Sequence, residues 1–284
     1  IGPLSHCTNR QFVLYYGTAD VPPDVAVAGS VCGLGLRSVV HRRKKQMSQD
    51  EIVIEAFDEM APRYEETVDR ELREYWGLSY TQIVDRLVTL AAVQKGEQVL
   101  DLATGTAVIP RRLVDRMGQN GRVVGMDITP AMLERGRKRI EASASLSSIS
   151  LVCASAMEIP FPDDSFDVVL CGLGTHHMHV PDMLSEVRRV LRANGRMAMI
   201  DVGASAFWRS LLGAVVLRVL LLRYGLSRKD ARAQAEIEAF QNVRTADEWR
   251  ALLTKVGFSG IEVVESRALR PWYPSALTVS ASSG

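Results

Sequence analysis

Cysteine is scarce in this chain of 284 residues: Cys7, Cys32, Cys153 and Cys171 stand at no spacing that suits a metal. A disulfide framework is therefore not expected, and the usage suits a reducing, cytoplasmic setting. Strong charge of either sign is also lacking. Residues 1–46 hold six basic and two acidic residues, a net of +4, so the remaining chain carries −3 of the overall +1. A mildly acidic body lacks the electrostatic footprint of a nucleic-acid binder. No internal repeat is visible. The most apolar stretch, Leu211 to Leu222, is broken by Arg218 and shorter than the roughly 20 residues that span a membrane. Missing too is the three-glycine turn of nicotinamide-binding enzymes.

What is present is ordinary for a globular protein: 47% hydrophobic and 24% charged residues. The first 46 residues differ from the rest. They begin with Ile, carry Pro3, Pro22 and Pro23, show no sustained period and end in His41-Arg42-Arg43-Lys44-Lys45. They read as an extension or a non-native or targeting segment, with a domain over 47–284. Ser48 and Asp50 are cap candidates for a helix running from Ile52 to Leu72. A second helix passes through Ile83, Leu87 and Leu90.

Elements then alternate. Strands are expected at 98–103, 123–127, 149–153, 166–171 and 197–202, with helices at 107–117, 130–142 and 182–192. Short apolar strands alternating with helices argue an α/β fold, a doubly wound parallel sheet covered on both faces. Residues 203–246 break this rhythm. A helical insertion over 206–243 is expected there, its apolar part a core helix, a lid, or a surface touching membrane through 207–224. Ser227 to Phe240 reads as a polar helix, and Thr245 with Glu248 as a capping box for the helix to Val256. Strands 261–266 and 276–282 close the chain.

The strand Val99 to Ala103 runs into Thr104-Gly105-Thr106-Ala107 and a helix, a corner whose free N–H groups suit a nucleotide-like or carboxylate ligand. Asp127 ends the next strand, where an acidic residue can accept both hydroxyls of an adenosine ribose. Dinucleotide and S-adenosylmethionine sites share that feature.

Five motifs decide between them: 57–64, 99–107, 125–133, 159–167 and 183–195. In order and spacing they resemble the class I S-adenosylmethionine-dependent methyltransferases, in the branch of the ubiquinone/menaquinone C-methyltransferases and related small-molecule enzymes. The resemblance implies a Rossmann-like, seven-stranded sheet whose last strand is antiparallel. It implies that Asp101, with the backbone at Ala103, Thr104 and Gly105, holds the methionine end of the cofactor. Asp127 takes the ribose, and Ile128 lies on the adenine. Ser155 and Ala156 stand at the adenine amino edge. Cys171 reaches the methionine amino group through a carbonyl, Tyr64 closes over the site, and Met132 is counted with them. Ala103 and Ala107 replace two glycines of the family's usual turn, and Ser155 replaces a carboxylate.

Gly174-Thr175-His176-His177-Met178-His179 follows the fourth strand on the cofactor side. His176 and His177, being adjacent, are expected to point apart, and no metal is expected. Look-alike O-methyltransferases imply His176 and His177 as base and Asp201 as partner, and histidine suits that task near neutral pH. Structural roles for all three stand beside that reading. The expected activity is methyl transfer from S-adenosylmethionine to a small, apolar acceptor, on carbon or oxygen. A methyltransferase-like binding protein without turnover and a nicotinamide-dependent oxidoreductase are the alternatives.

Overall fold

The computed structural model describes residues 15–16, 48–118, 120–142, 148–211, 213, 215, 218–219, 222, 231–240 and 242–284. Most of the segment 1–46 and much of the apolar stretch 211–222 lie outside the described residues.

Capping boxes start three helices: Ser48 with Glu51 for α1 (Gln49–Met60), Ser79 with Gln82 for α3 (Tyr80–Leu90), and Thr245 with Glu248 for α9 (Ala246–Val256). Each satisfies orphan N–H groups and contributes about 1 kcal/mol. The single helix expected over 52–72 is two. Pro62 interrupts it within a 3-10 turn, Ala61–Arg63, before α2 (Tyr64–Trp76). Proline has no N–H to give and its ring crowds the preceding turn, so the α-helical ladder is interrupted there.

The sheet has the order β1-β4-β3-β2-β5-β6-β8-β7. Its members are β1 (Tyr15–Tyr16), β2 (Gln98–Leu102), β3 (Arg122–Asp127), β4 (Ile149–Cys153), β5 (Phe166–Gly172), β6 (Leu191–Gly203), β7 (Ser259–Ser266) and β8 (Ser275–Ser282). β2 to β6 run parallel, and β8 is antiparallel to β6 and β7. That is the expected seven-stranded sheet, with β1 added antiparallel along β4. The helix expected over 182–192 ends two residues early, as α6 (Val180–Val190). The chain then turns straight into β6, and the strand register against β5 shifts, Phe166 pairing with Leu191 but Val168 with Arg196.

Val99, Leu100 and Leu102 are fully buried, as a central parallel strand requires. On one face α2, α3 and α4 (Val108–Met117) contribute Trp76, Leu87 and Leu113; on the other, α6 and α9 contribute Leu184, Val187 and Leu253. At the edge α5 (Pro130–Glu141) lays Leu133 against β4. The chain leaves β2 toward β3 on one side and reaches β5 on the other. The carboxyl ends of β2 and β5 therefore flank the switch point, where open α/β sheets bind ligands. Beyond β6 lie α7 (Ala206–Arg209) and α8 (Ala231–Ala239). Ala235 of α8 packs on Ile52 and Ala56 of α1. Among the described residues no helix is long and apolar enough to cross a membrane.

Candidate active site

The corner after β2 is built on left-handed backbone. Ala103, Gly105 and Ala107 have φ of 52°, 54° and 59°. For alanine that conformation costs about 1–2 kcal/mol per residue, so both alanines sit where glycine would be unstrained. Their methyl groups find room on opposite walls that lack one. A Cβ placed on Gly174 would lie 2.6 Å from the Cβ of Ala103, and one on Gly136 would lie 3.1 Å from that of Ala107.

Polar groups brace the same corner. The Gly105 N–H donates to Asp127 Oδ2 and the Thr129 N–H to Asp127 Oδ1, both at 2.8 Å. Thr106 Oγ1 donates to Glu65 at 2.5 Å and accepts from Arg139 at 2.9 Å, and Glu65 and Arg139 are paired. Helices α2 and α5 are thereby tied to the turn. Asp101 lies beneath it, wholly buried, with Oδ2 accepting from Thr104 Oγ1 at 2.6 Å and Oδ1 without a partner. Burial first, and the charge of Asp127 second, push its carboxyl up to about 8.

A cleft of about 660 Å³, counted to its open mouth and so including solvent space, lies over this corner. Of the residues implied for the cofactor, Tyr64, Ala103, Gly105, Asp127, Ile128, Met132, Ser155 and Ala156 line it. Asp101, Thr104 and Cys171 do not: they are buried behind its wall, and Leu173 and Gly174 present the chain after β5 instead. Met132 and Tyr64 crowd the open side of Gly105, at 3.3 and 3.9 Å from where a Cβ would stand. Asp50, Val53 and Phe57 of α1 also line the cleft. From the sequence Asp50 is only a cap candidate. The repeat of apolar residues along α1 marks a buried face but not what it faces.

His177 joins the same cleft from the 3-10 turn Thr175–His177 that follows β5. Asp201 near the end of β6 is saturated. Its Oδ1 meets His176 Nδ1 at 2.6 Å and accepts the Val202 N–H at 2.7 Å; Oδ2 accepts from the Thr175 N–H at 2.6 Å and hydroxyl at 2.5 Å. Burial opposes its charge, but His176 and these donors hold the carboxyl below the usual range. His176 is desolvated too, yet Asp201 and Glu236 raise it above an ordinary histidine. His177 goes the other way: burial and the neighbouring His176 lower it well below the ordinary value. Its Nδ1 is buried with no partner, and Phe57 meets its ring edge-on at 5.1 Å.

The two rings do not point apart. Their centroids are 4.2 Å from each other. On a 3-10 turn successive side chains are about 120° apart rather than opposed as on a strand, so both can lean toward the cleft. The third participant was not legible in the sequence. Glu236 of α8, half-buried, brings a carboxylate oxygen within 4.8 Å of a ring nitrogen of each histidine. Arg232, one turn earlier, lies 3.7 Å from Glu236 and donates to Glu71 at 2.6 Å. His179 faces away and pairs with Asp182.

A family model described as the ubiE/COQ5 methyltransferase family matches residues 45–209. The demethylmenaquinone methyltransferase of Listeria welshimeri serovar 6b is 34% identical over 160 residues, which are 54% of this chain and 64% of that protein. The chain thus spans less than two thirds of that relative's length. Among solved structures, a SAM-dependent methyltransferase from Aquifex aeolicus superposes with a TM-score of 0.53 at 17% identity, over 78% of this chain and 98% of its own. Geranyl diphosphate C-methyltransferase from Streptomyces coelicolor A3(2) does so with 0.59 at 14% identity, over 78% and 84%. These two likenesses concern the fold.

Proposed function

The chain belongs to the ubiE/COQ5 methyltransferase family, and from that premise we propose that it transfers a methyl group from S-adenosylmethionine to a small, apolar acceptor. The observation that carries the reading is one cleft joining the β2 corner, Asp127, the Ser155-Ala156 edge and His177. The residues fit the cofactor. Asp101 holds an unpartnered, buried oxygen beneath the turn, a hydrogen-bond acceptor for the methionine ammonium. Gly105 leaves open the space under Tyr64 and Met132, and Asp127 keeps lone pairs for ribose hydroxyls.

S-adenosylmethionine supplies an electrophilic methyl group on a sulfonium. The protein's part is to align an acceptor atom about 3 Å away and to exclude water. Phe57, Tyr64 and Met178 give the cleft its apolar walls. His177 is the proton acceptor for an acceptor hydroxyl or acidic carbon, its neutral form favoured by its surroundings. Asp201 fixes His176 through Nδ1, and the resulting imidazolium supports developing negative charge on the acceptor.

The insertion supplies the acceptor side, with α8 reaching the histidines. Its helical residues Leu211, Val215, Val219 and Leu222 are exposed, as are Leu269 and Trp272. Trp208 Nε1 donates to the Trp272 carbonyl at 3.2 Å, which sets that loop beside the start of the insertion. Such an apolar surface supports transient contact with a membrane that stores the acceptor.

Calorimetric titration with S-adenosylmethionine, S-adenosylhomocysteine and NAD tests the reading. Heat with the two adenosyl ligands and none with NAD is expected. Silence with both adenosyl ligands overturns it.

A further inference from the structure

Glu236 stands beside the two histidines and belongs neither to the corner nor to the His176–Asp201 pair. It arrives from α8, some 60 residues beyond the histidines, yet one of its oxygens lies within 4.8 Å of both. Asp201 occupies His176 Nδ1, which leaves Nε2 as the nitrogen a ligand can use. His177 Nδ1 is buried and unpartnered, and His177 lines the cleft. Two ring nitrogens and a carboxylate oxygen thus lie within 4.8 Å of one another beside the cofactor cleft.

Their spacing and surroundings limit what fits there. An oxygen hydrogen-bonded to three tetrahedrally placed partners at about 2.8 Å holds them about 4.6 Å apart. A divalent metal bound at about 2.0–2.1 Å needs them near 3.3 Å. All three atoms lie within 4.8 Å of one another, a limit that admits the oxygen. The Arg232 guanidinium, 3.7 Å from Glu236, also opposes a second cation.

We propose that Glu236 closes a three-sided site, with His176 and His177, that holds an oxygen atom of the acceptor. The inference rests on the methyl-transfer reading and narrows it to acceptors bearing a hydroxyl or carbonyl oxygen near the methylated atom. A hydroxyl there accepts from His176 Nε2–H and donates to His177 Nδ1 or to Glu236. Glu236 is then a specificity-determining residue, because an acceptor without the oxygen leaves these polar groups desolvated and unpaired.

The test uses 1-naphthol and its oxygen-free counterpart naphthalene as probes, with S-adenosylhomocysteine present. Bulk hydrophobicity favours naphthalene, so any preference for the alcohol reports the oxygen site. Wild-type protein is expected to bind 1-naphthol about tenfold more tightly, and the His177 ring 15N resonances should move with 1-naphthol alone. Glu236→Ala should reduce that preference about threefold or more. Glu236→Gln keeps the volume and reports on the charge, should the alanine variant fold poorly. Equal binding of the two probes, or a preference untouched by both variants, overturns the proposal. So does stoichiometric uptake of Zn2+ that displaces 1-naphthol. S-adenosylhomocysteine binding is measured first in each sample: its absence sinks the methyltransferase reading, while the naphthol preference is scored separately.

Discussion

Gly174→Ala probes the feature that most distinguishes this corner. The substitution is mild by backbone criteria, since Gly174 has φ of −130° and ψ of −21°, open to any residue. Sterically it is severe: the new methyl group would stand 2.6 Å from the Cβ of Ala103, while Cys171 Sγ and Met178 Cε at 3.5 and 3.6 Å are ordinary contacts. Overpacking of this kind costs about 1–3 kcal/mol, and each kcal/mol lowers the melting temperature of a domain this size by about 2–4 °C. Ala103→Gly alone should be near neutral. It relieves left-handed strain of about 1–2 kcal/mol, but gives the unfolded chain about 0.4–1 kcal/mol of extra freedom and loses a buried methyl group worth about 0.8 kcal/mol. The double variant exchanges the methyl group across the cleft wall and should recover most of the loss, a coupling of about 1–3 kcal/mol. Urea unfolding of the four proteins, followed by circular dichroism, measures it. If Gly174→Ala is as stable as wild type, or if the two effects simply add, then the glycine is not what accommodates Ala103.

Three other outcomes follow from the site. Asp101 binds a proton in the fold up to about pH 8 but only below about 4 when unfolded. The native state therefore holds the extra proton between those values, and its stability falls as pH rises through them, by about 1.4 kcal/mol per unit at most; Asp101→Asn should flatten that slope in pH-dependent melting and lose S-adenosylmethionine binding. Asp201→Asn and His176→Ala should cut turnover about 10²–10⁴-fold with S-adenosylhomocysteine affinity retained in calorimetry, and unchanged turnover returns both residues to structural roles. Leu211→Glu with Leu222→Glu should reduce co-sedimentation with phosphatidylglycerol vesicles several-fold without changing the melting temperature; equal sedimentation argues against the membrane contact.

Local chemistry made much of this legible. The strand at 149–153 and the Thr245–Glu248 box stand where pattern and capping place them, because each depends on neighbours a few residues away. Pro62 carried a readable signal for the break between α1 and α2, hidden by apolar residues that keep helical spacing on both sides of it. The boundary at Val190 was not legible, since Leu191 satisfies either a helix end or a strand start and pairing with Phe166 decides it. Least legible were contacts between distant positions. Nothing near Ala103 announces Gly174, nothing near His177 announces Glu236, and Asp201 could be tied to His176 only through resemblance.

Helix α1 shows one face to the cleft through Asp50, Val53 and Phe57 and another to α8 through Ile52 and Ala56. One rigid rod thus borders the donor pocket while bracing the helix that carries Glu236. Were one ligand to spend free energy on settling that rod, the next would not spend it again. Linkage is reciprocal, so the factor by which donor strengthens acceptor binding is the factor by which acceptor strengthens donor binding. In that case a lone donor would be held less firmly than a donor in the ternary complex, and the proposed methyl transfer would be followed by easier release of the spent cofactor.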